Sequence, residues 1–199
     1  MSVTLIAGLG NPGREYAGTR HNLGFAVVDA LATAERLKWE HESHFNADIA
    51  RWDARPRVTR LLVKPQSFMN DSGHALRQLV DFHQLPVEAV IVVYDDLTIE
   101  LGRIKVSVNG SAGGHNGVAS VLEHLGDGFI RYRLGIGAPR PAAMDLKDFV
   151  LGKFTPEQNQ LITQQLNTYV DGLRLLINRG PAEAMNLLHR RDQHEPEQA

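Results

Sequence analysis

The chain has 199 residues, of which 43% are hydrophobic and 22% charged, and its formal net charge is -2 at pH 7. This composition is typical of a globular protein and predicts one domain over residues 1–189, followed by a polar, flexible tail at 190–199. The chain has no cysteine, which excludes disulfides, thiolate metal sites and a cysteine nucleophile, and no apolar segment reaches membrane-spanning length.

Hydrophobic patterning predicts strands that alternate with helices. The predicted strands are 3–7, 45–52, 58–63, 89–94, 102–108 and 132–136, and the predicted helices are 22–37, 72–83, 116–125, 156–178 and 181–189. Asn22 and Asn116 are the expected N-caps of their helices. This order is typical of a single α/β domain with a twisted, mixed, partly parallel β-sheet flanked by helices on both faces.

Polar residues follow several of the predicted strands. Asn11 follows the first strand, Asp95 and Asp96 follow strand 89–94, and Asn116 lies beyond strand 102–108. Because ligands bind beyond the carboxyl ends of strands in open α/β sheets, we expect these side chains to share a cleft. The alternative is that the carboxylates cap a turn and the asparagines serve turns and helix starts.

The glycines of residues 8–13 have the GxGxxG spacing of dinucleotide-binding loops. In that motif the third glycine opens a helix, and an acidic residue ends the next strand. Here a proline–glycine pair favours a turn, and helical periodicity begins only near Asn22. The acidic candidates, Asp29 and Glu35, lie inside the predicted helix. We therefore prefer a structural turn to a nicotinamide or flavin site.

His21 is the candidate proton acceptor, because histidine takes up and returns a proton readily near neutral pH. A carboxylate on one ring nitrogen would leave the other free to take a proton from water, and Asp95 is placed to supply it. The alternative is a packed or surface histidine. A serine nucleophile is disfavoured because Ser111 lacks the glycine two residues earlier. A zinc motif is disfavoured because His41 and His44 are spaced by three residues rather than four.

A second glycine-flanked His-Asn pair occurs at residues 115–116, where Asn116 is the stronger functional candidate and His115 is interpreted as structural. Residues 101–140 also carry more basic than acidic side chains. A phosphate-contacting surface and an ordinary solvated face both fit this excess. The basic residues are Arg103, Lys105, Arg131, Arg133 and Arg140, against Glu123 and Asp127.

Several motifs resemble those of one family. Residues 16–22, with Gly24 and Asp29, resemble the first signature of bacterial-type peptidyl-tRNA hydrolases, and residues 8–13 resemble the loop before it. The later motifs occur in the same order, and the resemblance covers nearly the whole chain. These later motifs are Phe68-Met69-Asn70 with Ser72-Gly73, Asp95 after a strand, residues 113–117 and residues 149–153.

The resemblance implies an enzyme without metal or organic cofactor that hydrolyses the ester joining a peptide to the 3′ ribose of tRNA. It implies His21 as the general base that activates water, Asp95 as its orienting carboxylate, and Asn11 as the residue that discriminates N-blocked from free aminoacyl-tRNA. It also implies substrate binding by Tyr16, Phe68, Asn70 and Asn116, and contacts with tRNA phosphates by Arg133 and Lys105.

The implied partner is peptidyl-tRNA, held at its acceptor stem and 3′ end by a monomeric, cytoplasmic protein that binds neither DNA nor membranes. Three positions depart from the family pattern. Ser107 and Ala119 stand where a basic residue is usual, and Thr98 stands where an acid is common. An RNA-binding module without catalysis is the alternative, and it would bind tRNA without releasing peptide.

Overall fold

The computed structural model of the chain describes residues 2–138 and 144–191. Its strands are β1 (Ser2–Gly8), β2 (Glu40–Glu42), β3 (Ala47–Arg55), β4 (Val58–Pro65), β5 (Val90–Glu100), β6 (Ile104–Ser107) and β7 (Ile130–Gly137). Its helices are α1 (Leu23–Ala34), α2 (Ser72–His83), α3 (Asn116–Leu125), α4 (Leu146–Leu151), α5 (Pro156–Arg179) and α6 (Pro181–Arg191). Of the tail predicted at 190–199, residues 192–199 lie outside the described residues, and the domain boundary at 189 stays a prediction.

The strands form one mixed sheet in the order β2-β3-β4-β1-β5-β7-β6. The four central strands, β4, β1, β5 and β7, are parallel, whereas β2, β3 and β6 pair antiparallel with their neighbours. The predicted mixed, partly parallel sheet is therefore confirmed. Because the central strands run in one direction, the loops that leave β1, β4 and β5 emerge at the same edge of the sheet.

Apolar side chains cover both faces of the sheet. Along β1 they alternate: Leu5 and Ala7 pack in the layer that contains α2 and α3, whereas Ile6 packs in the layer that contains α1, α5 and α6. Burying each large apolar side chain stabilises the fold by about 1.5–3 kcal/mol. Helices therefore flank both faces, as the sequence predicts. None of the helices in the described part of the chain combines the length and hydropathy needed to cross a membrane.

The predicted bounds agree best with the structure for long periodic helices, whereas two short elements were not predicted. Helices 72–83 and 116–125 agree at both ends. The prediction that strand 89–94 ends before Asp95 and Asp96 is wrong, because β5 continues through both residues while it pairs with β7. The sequence did not predict β2 or α4. Strand β2 has three residues and helix α4 has six, and segments this short carry too little periodicity to be recognised.

Of the two predicted N-cap asparagines, Asn22 occupies the N-cap position of α1 but its side chain makes no capping hydrogen bond, and Asn116 is not the N-cap of α3. The side chain of Asn22 instead exchanges two hydrogen bonds of 2.9 Å with the backbone of Asn11. At α3 the N-cap is His115, whose Nδ1 accepts two backbone N–H groups of the first turn at 3.1 and 3.2 Å. Asn116 is the exposed first residue of that helix.

Helix α1 lies close against the sheet because of Gly24. A Cβ atom at this position would collide with the carbonyl oxygens of Val93 and Leu9. The close approach sets the preceding single 3₁₀ turn, Arg20–Asn22, beside the carboxyl ends of β1 and β5. That turn carries His21.

Candidate active site

A cleft of about 1020 Å³ opens at the carboxyl edge of the central strands. Helix α4 contributes an apolar outer wall through Leu146, Val150 and Leu151. Lys105 is not among the lining residues. The cleft brings together all the other predicted site residues: Asn11, Tyr16, His21, Phe68, Asn70, Asp95, Asn116 and Arg133.

His21 is paired with Asp95 at the floor of the cleft. Its Nδ1 lies 3.0 Å from Oδ1 and 3.1 Å from Oδ2 of the carboxylate, and the two residues are 7% and 2% exposed. Because carboxylate oxygens accept hydrogen bonds, this contact assigns the ring proton to Nδ1. The neutral imidazole of His21 is thereby held in the tautomer whose Nε2 carries a free lone pair.

His115 binds the same carboxylate, which the sequence did not predict. Its Nε2 lies 3.1 Å from Oδ1 of Asp95, and the two imidazole rings are 4.6 Å apart between centroids. Since Nδ1 of His115 accepts two backbone N–H groups, its proton must be on Nε2, which donates to Asp95. The repeated His-Asn pair was the feature of the sequence that could have pointed to His115, but only Asn116 of that pair was favoured as a functional residue.

Asp95 is held in its ionised form. Burial by itself raises the pKa of this carboxyl group, but the charges and hydrogen bonds of His115 and His21 outweigh burial and bring the pKa below its ordinary value of 3.8. The carboxylate therefore keeps its charge at neutral pH and can accept a hydrogen bond from each neighbouring imidazole.

Acid is expected to destabilise the protein through Asp95. Because its folded-state pKa lies below the unfolded value of 3.8, its contribution to the free energy of unfolding is complete above pH 3.8 and is lost as the pH falls further. Denaturant unfolding of the wild type and of Asp95→Asn between about pH 5 and pH 2 measures this term. The wild type should lose more stability than the variant over this range, and equal losses would contradict the assignment.

Within the described residues, the side chains of His21, Asp95 and His115 form a group that could in principle hold a metal ion. One ligand atom from each of His21, Asp95 and His115 lies within 4.8 Å of the others. The tautomer of His115 disfavours a metal, however, because Nδ1 is engaged by backbone N–H groups and the protonated Nε2 has no lone pair to offer. The donor set fits a hydrogen-bonded proton site rather than a cation site.

The glycine-rich loop at residues 8–13 delivers Asn11 to the cleft. It leads into single 3₁₀ turns before α1, rather than opening a helix as a dinucleotide-binding loop would. The Oδ1 atom of Asn11 accepts the backbone N–H of Met69 at 2.8 Å. This bond turns the oxygen towards the backbone of Met69 and leaves Nδ2 as a hydrogen-bond donor for a ligand. Asn70 and Asn116 are exposed at the cleft surface.

An aromatic pair borders the cleft. The rings of Tyr16 and Phe68 lie edge to face with centroids 6.3 Å apart, and Phe68 is 59% exposed. Exposed aromatic rings beside a polar cleft are suited to stacking against planar groups.

The basic residues counted in the sequence do not form one surface. Arg131 is 1% exposed, and its guanidinium group donates to the backbone carbonyls of residues 110–111 that line the cleft. Arg103 pairs with Glu100 at 2.8 Å. Arg140 lies outside the described residues. Because Arg131 is buried, a phosphate-contacting surface that includes it is wrong, whereas the part of Arg103 in such a surface stays a prediction.

Arg133 and Lys105 remain neighbours. They are directly opposite each other on the antiparallel strands β7 and β6, so their side chains leave the same face of the sheet. Lys105 is exposed. Arg133 lines the cleft and forms an ion pair with Asp96, with 2.9 Å between Nε and Oδ2.

An open α/β sheet that holds two imidazoles on one buried carboxylate in a polar cleft defines a class of protein: an enzyme equipped for general acid–base catalysis on a substrate held in that cleft. The amides and aromatic rings around the cleft supply the means to orient that substrate.

A family model for peptidyl-tRNA hydrolase matches residues 5–196. The chain is 40% identical to the peptidyl-tRNA hydrolase of Gloeobacter violaceus over 192 residues, covering 96% of each protein. It is 42% identical to that of Pelobacter propionicus over 193 residues, covering 96% of this chain and 98% of the relative. The crystal structure of peptidyl-tRNA hydrolase from Acinetobacter baumannii matches with a TM-score of 0.85 and 33% identity over 94% of both chains. The chain belongs to the peptidyl-tRNA hydrolase family.

Proposed function

We propose that this protein hydrolyses the ester between a peptide, or an N-blocked aminoacyl group, and the 3′ ribose of tRNA, releasing peptide and free tRNA. The observation that carries the proposal is the buried His21–Asp95 pair in the cleft of a chain that belongs to this family. Incubation with N-acetyl-aminoacyl-tRNA, with and without a chelator, tests it. We expect equal ester cleavage in both arms. Binding without cleavage would indicate an RNA-binding module, and thermal stabilisation by NAD would indicate an oxidoreductase.

In the proposed mechanism, Nε2 of His21 takes a proton from water while the water oxygen bonds to the ester carbonyl carbon. The tetrahedral intermediate then collapses as the bond from carbon to the 3′ oxygen breaks, and the imidazolium returns its proton to that oxygen. Asp95 stays ionised and stabilises the imidazolium between the two steps. General base catalysis of this kind contributes about 10² to 10⁴ in rate.

Asn11 is proposed to discriminate N-blocked from free aminoacyl-tRNA. Its Oδ1 is engaged by Met69, so it meets a ligand as a hydrogen-bond donor. A blocked amino group offers a carbonyl oxygen that accepts from Nδ2, whereas a free ammonium group only donates and finds no partner there. Asn70 and Asn116 are proposed to hold the peptide and the attacking water.

The tRNA is proposed to contact the rim of the cleft through its acceptor stem and 3′ end. Tyr16 and Phe68 would stack near the terminal nucleotide, and Arg133 with Lys105 would contact phosphates. We also propose that the protein acts as a monomer in the cytoplasm and has no role on DNA or at membranes.

Salt titration tests the phosphate contacts. Replacement of Arg133 or Lys105 by alanine is expected to weaken tRNA binding and to lower the slope of log affinity against log salt by about one, because one phosphate neutralisation is lost. Binding of uncharged tRNA between about 50 and 200 mM salt gives both quantities. Arg51→Ala, which removes an exposed arginine on β3, is the control with the same change in charge. An unchanged slope in both test variants would refute the surface.

A further inference from the structure

Arg133 is partly neutralised at the rim of the cleft by a fixed carboxylate. Its Nε donates to Oδ2 of Asp96 at 2.9 Å, and the two side chains are only 27% and 13% exposed. An ion pair with this degree of burial is screened less by salt than a surface pair.

Thr98 fixes the other oxygen of the same carboxylate. Oδ1 of Asp96 accepts the backbone N–H of Thr98 at 2.8 Å and its hydroxyl at 2.6 Å, and that hydroxyl accepts from Nη2 of Arg133 at 3.3 Å. Both residues lie in β5, next to the strand that carries Arg133. The carboxylate is therefore held by two hydrogen bonds from Thr98 in addition to its ion pair with Arg133.

The remaining donors of Arg133 can still meet an anion. A guanidinium group has five N–H donors, of which Asp96 and Thr98 engage two. A phosphate that binds the others shares the guanidinium group with the carboxylate of Asp96. The attraction of the arginine is then opposed by a nearby negative charge of fixed position.

We propose that Asp96 limits the affinity of this protein for tRNA by neutralising part of the charge of Arg133; this inference rests on the role in phosphate binding proposed above for Arg133. A limit on tRNA affinity would favour release of the product. Ester hydrolysis leaves the tRNA phosphates unchanged, so phosphate contacts bind substrate and product equally and tight contacts would retain the product. A weakened contact still orients the tRNA but allows it to leave.

The test is Asp96→Asn, which keeps the shape of the side chain and removes its charge. We expect uncharged tRNA to bind about three- to tenfold more tightly at low salt, with a steeper salt dependence, because the full charge of Arg133 becomes available. The same variant should be inhibited by uncharged tRNA at a correspondingly lower concentration. Asp81→Asn is the matched control, since it also removes a carboxylate paired with an arginine but lies on α2, outside the cleft lining.

Each outcome decides the question. Unchanged or weaker binding by Asp96→Asn, while Arg133→Ala still weakens binding, overturns the affinity limit and leaves the proposed tRNA contact intact. Equal tightening by Asp81→Asn also overturns it, because net charge alone would then explain the gain. No effect of Arg133→Ala refutes the phosphate contact itself, a failure distinguishable from the other two.

Discussion

Replacement of His21 by alanine is expected to lower kcat by about 10²- to 10⁴-fold, the contribution of a positioned general base. The reason is geometric: Asp95 holds the ring proton on Nδ1, so Nε2 is the basic atom available in the cleft. Steady-state cleavage of N-acetyl-aminoacyl-tRNA measures kcat. Binding of uncharged tRNA should change less than about twofold, because the imidazole is buried and the phosphate contacts are proposed for Arg133 and Lys105 instead.

The chain offers a matched control for this experiment. His41 also pairs through Nδ1 with an aspartate, Asp48, at 2.9 Å, but that pair is exposed and lies outside the cleft lining. His41→Ala should therefore keep wild-type turnover. Full activity of the His21 variant would contradict the mechanism. A parallel loss of tRNA binding would show that His21 contributes to binding rather than to proton transfer alone.

Replacement of Asp95 by asparagine is the second change with a large expected effect, a loss of about 10²- to 10⁴-fold in kcat. The carboxylate accepts N–H donors from both His21 and His115, whereas an amide has a single acceptor oxygen and an NH₂ group that only donates. One imidazole must then lose its bond or change tautomer. If His21 changes, its Nε2 carries the proton and can no longer take one from water.

The same substitution should also lower the free energy of unfolding by about 1–3 kcal/mol, the cost of a buried donor left without a partner. Nitrogen chemical shifts of the two imidazoles report their tautomers directly, and denaturant unfolding reports the stability. Asp48→Asn, at the exposed His41 pair, is the control and should change neither activity nor stability appreciably. A wild-type value of kcat in the Asp95→Asn variant would contradict the proposal that this carboxylate orients His21.

The fold and part of the site follow from patterns that are local in the sequence. Short continuous apolar runs predict the buried strands, and the 3.6-residue period predicts α2 and α3 to the residue. The rule that ligands bind beyond the carboxyl ends of parallel strands led to Asn11 and Asp95 as neighbours of one cleft. His21 followed because its residue type suits proton transfer, and its surroundings match one family.

Other features depend on contacts between distant segments. Asp95 lies 74 residues from His21 and 20 from His115, and nothing near His115 in the sequence states which group its Nε2 will meet. The same holds for Arg133, whose pairing with Asp96 spans 37 residues. Charge counts treated the arginines of residues 101–140 as equivalent, although burial makes Arg131 a support for the cleft wall.

The sequence by itself determined an α/β sheet with helices on both faces, and it determined which residue types could act at its carboxyl edge. These properties depend on side-chain polarity and periodicity, which each segment carries alone. Only the tertiary structure decided the tautomers of His21 and His115, the donor character of Asn11 and the partial neutralisation of Arg133. Each of those depends on which hydrogen-bond partner packing brings within about 3 Å, and that distance is set by the whole fold.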